Sequence, residues 1–359
     1  MDPRIREHAR IVTEHSTDVD AGDNVVIFAP SGAEDMVVAL HEECGDRGAN
    51  PVTIWDEDRA DRAFLDAVDG DFETPGHERA LYEASDVFIS CRADRNATEL
   101  ADIPPAVTAA YSRARHPLRE IRLDGRWCVT QVPSAGNAQL ASMSSEAYEN
   151  FVWDAINRDW DAQEEFQAQL VDILDPADEV RIVSGDRTDI TMRIGGNHAI
   201  NDFGEHNMPG GEVFTAPVPD SVAGSVLFDK PIYYQGREIR NAYLEFESGR
   251  AVAHAAETNE ELLGEILETD ADADRLGELG IGMNRAIDRF TYNVLFDEKM
   301  GDTVHLAVGM AYDECVGEEN EKNDSAVHVD MIVDMAENSR IEVDGEIIQE
   351  DGRFTFEDG

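Results

Sequence analysis

Lysine is nearly absent from the 359-residue chain, which has it only at positions 230, 299 and 322. Asp and Glu number 77 against 29 Lys and Arg, and the formal net charge is −48. Because 42% of the residues are still hydrophobic, a disordered acidic segment is excluded. Nucleic acid and anionic lipid are bound through Lys and Arg, so we expect neither nucleic acid nor a membrane as a partner. We interpret the acidic excess as halophilic adaptation, since about 1 M salt shortens the Debye length to about 3 Å.

Cysteines and long apolar runs are also scarce. Cys44, Cys91, Cys128 and Cys315 form no C-x-x-C pair, which favours free thiols in a reducing compartment. The first eight residues lack the apolar segment of a signal peptide. No stretch approaches the about 18 uninterrupted apolar residues of a membrane helix. The sequence therefore predicts a cytoplasmic protein.

Several catalytic motifs are missing. The chain has no H-E-x-x-H helix, no G-x-S-x-G elbow, no G-x-x-x-x-G-K-[ST] loop and no G-x-G-x-x-G after a strand. Residues 270–274 begin like a calcium loop, but Arg275 stands where the loop needs glycine and Ile281 stands at its twelfth position. We interpret this run as solvated acidic surface.

The first half of the chain alternates short apolar runs with helical patterns. Strands are predicted at residues 24–28, 51–55, 86–91 and 127–131, with a helix at 32–47. Strands alternating with helices predict a parallel α/β N-terminal domain, residues 1–175. A long amphipathic segment, residues 145–174, closes this domain.

From residue 176 the pattern becomes mostly β. Two hairpins are predicted, one turning at 184–187 and the other at 248–249, with one helix near 259–269. For residues 176–359 we expect an α+β C-terminal domain with an antiparallel, barrel-like sheet that carries the chemistry.

The strongest local signal for chemistry is the run from His328 to Met335. Side chains alternate along a strand, so Val329 and Met331 would share an apolar face while His328 and Asp330 project together from the other. An imidazole beside a carboxylate forms half of a metal site. Taken alone, such a pair is more often an ordinary surface pair.

Further candidates stand in apolar or glycine-rich settings. His305 lies in an apolar run that ends at Gly309, and Tyr312 follows the bend. Glu212 and Glu278 are flanked by glycines, which allow the backbone to approach an ion. Each residue alone is more often a core residue or an isolated acid.

Taken together, these segments resemble the thermophilic aminopeptidase family named for aminopeptidases T and S. The matching blocks, in order, are 207–217, 228–231, 276–284, 298–312 and 323–330. The N-terminal half matches the family only in its length and in its alternation of strands and helices. The resemblance implies a metallo-aminopeptidase that acts on peptides with a free N-terminus, as a homodimer. It implies two divalent metal ions, with the ligands Glu212, Glu278, His305, His328 and Asp330, and Glu298 as a less certain additional one. Glu278 would be shared between the ions, and Tyr312 resembles the active-site tyrosine.

This ligand set suits peptide hydrolysis. Two cations about 3.5 to 4 Å apart lower the pKa of a bridging water from 15.7 toward about 7 and polarise the scissile carbonyl. Three carboxylates leave the two dications with residual positive charge, so the free amine of the substrate can bind one ion while Tyr312 stabilises the oxyanion. The general base is either Glu278 or a metal-bound hydroxide. The donors fit zinc, cobalt or manganese.

Two other functions stay open at this level. Another two-metal hydrolase, such as a phosphatase, could use the same ligands, with Lys230, Lys299, Arg237 and Arg240 as candidate phosphate-binding residues. The third hypothesis is that the chain is a metal-binding protein without catalytic activity. Retention or loss of peptidase activity on Glu278→Gln substitution separates these alternatives.

Overall fold

The computed structural model of the chain describes residues 1–68, 71–234 and 237–357. The α-helices of these residues are α1 Pro3–Ile11, α2 Glu34–Arg47, α3 Asp58–Ala67, α4 Gly76–Glu83, α5 Pro105–Asp124, α6 Ala135–Leu140, α7 Ser145–Ile156, α8 Trp160–Leu174, α9 Glu260–Leu267 and α10 Val294–Asp297. The strands are β1 Asn24–Ala29, β2 Asn50–Trp55, β3 Val87–Arg92, β4 Arg126–Gln131, β5 Glu179–Ser184, β6 Thr188–Arg193, β7 Ile200–Asp202, β8 Asn207–Met208, β9 Glu212–Thr215, β10 Ala223–Phe228, β11 Ile232–Tyr234, β12 Arg237–Ile239, β13 Ala242–Glu247, β14 Arg250–Ala255, β15 Leu276–Gly282, β16 Thr303–Gly309, β17 His328–Asp334, β18 Ser339–Val343, β19 Glu346–Glu350 and β20 Arg353–Phe354.

The chain divides into two compact units, the first formed by residues 1–158 and 204–210. Its sheet has the order β2-β1-β3-β4-β8, with all four pairs parallel. The buried strands β1 and β3 are nearly continuous apolar runs, as expected for a parallel sheet covered on both faces. The predicted strands correspond to β1–β4 within one residue at each end. β8 comes from a distant part of the chain and had not been predicted.

The second unit contains residues 159–203 and the described residues from 211 onward. It has an antiparallel eight-stranded sheet, β14-β13-β10-β6-β5-β18-β19-β20, and an antiparallel five-stranded sheet, β17-β16-β15-β9-β7. The predicted hairpins are present as β5–β6 and β13–β14. β11 and β12 form a separate two-stranded sheet.

The expected barrel-like closure is wrong for the strands described. Each large sheet stays open, with β14 and β20 at the edges of one and β17 and β7 at the edges of the other. One core contains buried side chains from both sheets, such as Ile182 and Leu244 from the first and Leu279 and Val304 from the second. The sheets bury their apolar faces in this shared core, so barrel closure is not needed to remove them from water.

Helix α8 lies in the second unit, so the division differs from the predicted boundary at residue 175. The predicted segment 145–174 is two helices, and Asp159 caps the second by accepting a hydrogen bond from the amide of Ala162. Leu170 and Leu174 of α8 are buried in the core of the second unit. Gln167 of the same helix donates a hydrogen bond of 2.9 Å to the carbonyl of Glu212.

Two predictions from composition can be compared with the structure. The four cysteines are buried free thiols, as predicted. Among the residues described, no helix has the length and apolar character needed to cross a membrane.

Candidate metal centre

Four adjacent strands of the five-stranded sheet carry the predicted ligands. Glu212 begins β9, Glu278 lies on β15, His305 lies on β16, and His328 and Asp330 lie on β17. Four segments separated by up to about 120 residues of sequence are thereby brought together.

A glycine makes room for one of the imidazoles. Gly280 on β15 lies opposite His305 on β16, and a Cβ atom at Gly280 would be only 2.0 Å from His305 Nε2. A residue without a side chain is therefore required here. The His305 ring can then reach Glu278, whose Oε1 is 3.0 Å from Nε2.

Strand β17 shows the predicted alternation. Val329 and Met331 are buried in the core, while His328 and Asp330 project from the other face with Nε2 and Oδ1 3.5 Å apart. Gly309 has a φ of +102° and turns the chain at the end of β16. Beyond this turn, the carbonyl of Met310 accepts a 2.8 Å hydrogen bond from His328 Nδ1.

The donor atoms form two groups that share Glu278. Glu212, Glu278 and His305 make up the first group, and Glu278, His328 and Asp330 make up the second, with the donor atoms of each group within 4.8 Å of one another. Glu278 Oε1 faces His305, and its Oε2 is 3.4 Å from His328 Nε2. Glu212 Oε2 is 3.3 Å from His305 Nε2. One carboxylate thus lies between two sets of donors.

The donors fit divalent ions. Within the described part of the chain, the buried Oε2 atoms of Glu212 and Glu278 have no hydrogen-bond partner. Buried carboxylate oxygens without partners are costly, and bound cations would satisfy them. The hydrogen bond from His328 Nδ1 to a carbonyl leaves Nε2 available to bind an ion, which is the usual arrangement for metal-binding histidines.

The electrostatics of the site would couple the binding of an ion to the release of protons. Burial lowers the pKa of His305, but Glu278 and Glu212 outweigh burial and raise the pKa to about 9. For His328, burial is likewise outweighed, chiefly by Asp330, and the pKa rises to about 10. An ion that binds these imidazoles must displace their protons, so metal affinity increases with pH.

Glu298 lies outside both donor groups. Its Oε1 accepts a hydrogen bond from Lys299, whose side chain is fully buried. Lys299 Nζ is also 3.0 Å from Glu212 Oε1 and 3.7 Å from Asp202 Oδ2. Burial alone would lower the pKa of Lys299, but the carboxylates outweigh it and hold the pKa well above its usual value.

The positions of Asp202 and Lys299 beside the candidate ligands were not predicted from the sequence. Asp202 is one of 77 acidic residues and its local sequence carries no distinguishing signal. Lys299 did carry such a signal, because lysine occurs only three times in the chain and Lys299 directly follows Glu298.

Tyr312 lies beside the second donor group. Its ring centroid is 5.0 Å from that of His328, and 39% of the residue is exposed. Partial burial and then the carboxylates Glu278 and Asp330 raise the pKa of the Tyr312 hydroxyl above its usual value. The hydroxyl is therefore protonated at neutral pH and can donate a hydrogen bond.

A cavity of about 250 Å³ borders His328 and Asp330. Its aromatic lining consists of Tyr233, Tyr234, Phe290 and Tyr292. The volume is below the about 300 to 1,000 Å³ typical of pockets for drug-sized ligands. It therefore suits a single side chain.

The cations that a phosphatase would need are already paired with carboxylates. Lys299 is surrounded by carboxylates, and Lys230 Nζ is 2.6 Å from Asp334 Oδ2. The guanidinium groups of Arg237 and Arg240 pair with Glu265 and Glu238, respectively. The site therefore offers no evident phosphate-binding cation among the four candidates.

The chain is similar to known metalloproteases and aminopeptidases. The family model described as thermophilic metalloprotease (M29) matches residues 1–359. Aminopeptidase AmpS of Bacillus subtilis (strain 168) is 29% identical, covering 92% of each chain. Aminopeptidase T of Thermus aquaticus is 28% identical over 96% of this chain and 94% of its own length.

Two solved structures share the fold. Wild-type AmpT from Thermus thermophilus superposes with a TM-score of 0.85 at 23% identity, over 98% of this chain and 99% of its own. A 2,5-dihydroxypyridine dioxygenase from Pseudomonas putida KT2440 has a TM-score of 0.60 at 14% identity, over 98% of this chain and 96% of its own. Since one fold can serve different chemistries, the activity must be argued from the site.

Proposed function

The chain belongs to the thermophilic metalloprotease family M29, and we propose that its five-stranded sheet holds two divalent ions with which the protein cleaves the first peptide bond of its substrates. Its activity as a metal-dependent aminopeptidase follows from the family match over residues 1–359 and from relatives that are named aminopeptidases. The ligand assignment and the number of ions are our proposal.

The two oxygens of Glu278 carry this assignment. Because one faces His305 and the other faces His328, we assign one ion to Glu212, Glu278 and His305 and the second to Glu278, His328 and Asp330. Oxygen and imidazole donors suit zinc, cobalt or manganese. Glu298 is the sixth candidate, and its pairing with Lys299 makes it the weakest of the set.

The chemistry divides among a few residues. When bound, the two ions activate a water and polarise the scissile carbonyl. Glu278, common to both donor groups, would hold the two ions through its two oxygens, and it could accept a proton from that water only through an oxygen that no ion occupies. Tyr312, protonated at neutral pH, donates a hydrogen bond to the oxyanion that develops on the carbonyl.

The aromatic cavity is proposed to receive the first side chain of the peptide. It adjoins His328 and Asp330, where the free N-terminal amine would also be held. Val294, which lines the cavity and is 49% exposed, can be enlarged with little effect on folding. Val294→Trp is expected to lower kcat/KM for N-terminal Leu or Phe about tenfold more than for Ala. An equal decrease for all three substrates would contradict this placement.

Substitution of Glu278 by Gln tests the metal centre. It preserves the size of the side chain but removes the charge shared by the two groups. We expect loss of peptidase activity and of bound metal, measured by elemental analysis, with an unchanged circular dichroism spectrum. Glu245→Gln, on the exposed face of β13, is the matched control and should retain both. Full activity of Glu278→Gln would overturn the assignment.

A further inference from the structure

Lys299 is a fully buried lysine placed among carboxylates of the candidate metal centre. It lies between α10 and β16, where its amide donates to the carbonyl of Phe296 and its own carbonyl accepts from the amide of Asn284, each at 3.0 Å. The backbone is therefore fixed on both sides. Its ammonium group lies within 4.0 Å of carboxylate oxygens of Asp202, Glu212 and Glu298.

We propose that Lys299 is a built-in counter-ion of the metal centre, which balances the surplus carboxylates and limits how tightly the ion beside Glu212 is held. This inference rests on the proposed two-metal site. Lys299 thus acts as a positioning and charge-balancing residue that does not itself contact the substrate.

A count of charges supports the role. The carboxylates of the site are Asp202, Glu212, Glu278, Glu298 and Asp330. With all five ionised they contribute five negative charges, Lys299 contributes one positive charge, and two divalent ions would contribute four. The sum is zero when both imidazoles are neutral, as metal binding requires. Without Lys299 the loaded site would carry one net negative charge.

The geometry explains why Lys299 would oppose metal binding. Glu212 uses Oε1 to contact Lys299 and turns Oε2 toward His305. Lys299 and an ion would therefore share one carboxylate. Like charges so close together in a buried site repel strongly. Removal of the ammonium charge should then tighten metal binding.

A purely structural role predicts the opposite result. If Lys299 served only to hold Glu212 and Glu298 in place, its removal would disorder these side chains and weaken metal binding. The sign of the change in metal affinity therefore separates charge balance from structural support.

The test uses four variants of the full chain in high KCl. Lys299→Met removes the positive charge, Glu298→Gln removes a negative charge, and a third variant combines both substitutions. Lys230→Met is the control, because Lys230 pairs with Asp334, which belongs to neither donor group. Affinities for Zn²⁺ and Co²⁺ are measured by competition with a chelator at fixed pH, and bound ions are counted by elemental analysis.

Charge balance predicts a specific pattern. Lys299→Met should bind one of the two ions about tenfold or more tightly, and Glu298→Gln should bind it about tenfold more weakly. The double variant restores the wild-type sum of charges and should return to within about threefold of wild-type affinity. Lys230→Met should be unchanged.

Several outcomes would overturn the proposal. Weaker metal binding by Lys299→Met would assign Lys299 a structural role. The same conclusion would follow if the double variant lost as much metal affinity as the two single variants together. If Lys299→Met fails to fold, unchanged affinity of Glu298→Gln would be sufficient to reject charge balance. Failure of the wild-type protein to bind metal would instead reject the proposed function on which the inference rests.

Discussion

Gly280 lies directly opposite His305 on neighbouring strands, and the imidazole occupies the space that any side chain at residue 280 would need. Gly280→Ala should therefore displace His305 and separate it from Glu278. Changes beside metal ligands commonly cost about 10- to 100-fold in metal affinity or activity, and we expect a loss in that range. Metal titration and peptidase assays measure it. Gly45→Ala, where an added Cβ meets nothing within 4 Å, should be neutral. Equal behaviour of the two variants would contradict the geometry.

Tyr312→Phe isolates the contribution of the hydroxyl. Removal of one donor to an oxyanion typically lowers kcat about 10²- to 10³-fold. We expect such a decrease with little change in KM, in bound metal or in thermal stability, because the ring contact with His328 is kept. Tyr243→Phe on β13 provides a control. A variant with wild-type kcat would remove Tyr312 from the mechanism.

Much of this architecture could be predicted from the sequence, because each predicted element depends on a local pattern. The apolar runs that became β1–β4 have clear boundaries, and the alternation at Val329 and Met331 placed His328 and Asp330 on one face. Gly309 marked the bend that brings Met310 to His328. Such signals depend only on a few neighbouring residues.

Features that depend on distant residues could not be predicted in this way. Periodicity shows which face of a strand is buried, but it does not show which strands pair with one another. The prediction of a barrel-like sheet was therefore wrong. The two-residue strand β8 is too short to have a pattern. Asp202 is close to Lys299 only through the pairing of β7 with β9, which no local sequence encodes.

The first unit contains a histidine that makes stability depend on pH. His8 is fully buried, with Nε2 2.6 Å from the Thr130 hydroxyl. That hydroxyl donates to the carbonyl of Met208, so Nε2 must carry the hydrogen, and Nδ1 has no hydrogen-bond partner among the residues described. Burial lowers the pKa of His8 to about 3.

The sign of the effect follows from the two states of His8. Unfolded His8 takes up a proton near pH 6.5, whereas the folded state does so only near pH 3. The free energy of unfolding should therefore decrease as pH falls below about 6.5, by up to about 1.4 kcal/mol per pH unit from this residue. Urea titrations at pH 7 and pH 5 should show a smaller decrease for His8→Gln than for wild type. The exposed His41→Gln should keep the wild-type dependence. Identical dependence in all three proteins would contradict the argument.

The acidic composition predicts that folding requires salt. The chain has a net charge of −48, so its surface repels itself. The Debye length is about 3 Å in 1 M salt and about 10 Å in 0.1 M salt, so this repulsion is screened more strongly in 1 M salt. Circular dichroism across a KCl series should show loss of helical signal at low salt. NaCl of equal ionic strength should give the same curve, because screening depends on ionic strength. A fold that is stable in dilute, metal-free buffer would refute halophilic adaptation.

The most direct test of the account is cleavage of a peptide with a free N-terminus and of its N-acetylated form by metal-depleted protein in high KCl, before and after addition of Co²⁺ or Zn²⁺. We predict no cleavage without metal, and after metal addition cleavage of the free peptide only, with release of its first residue. Equal cleavage of the acetylated peptide, or no cleavage by protein with two bound ions per chain, would contradict it.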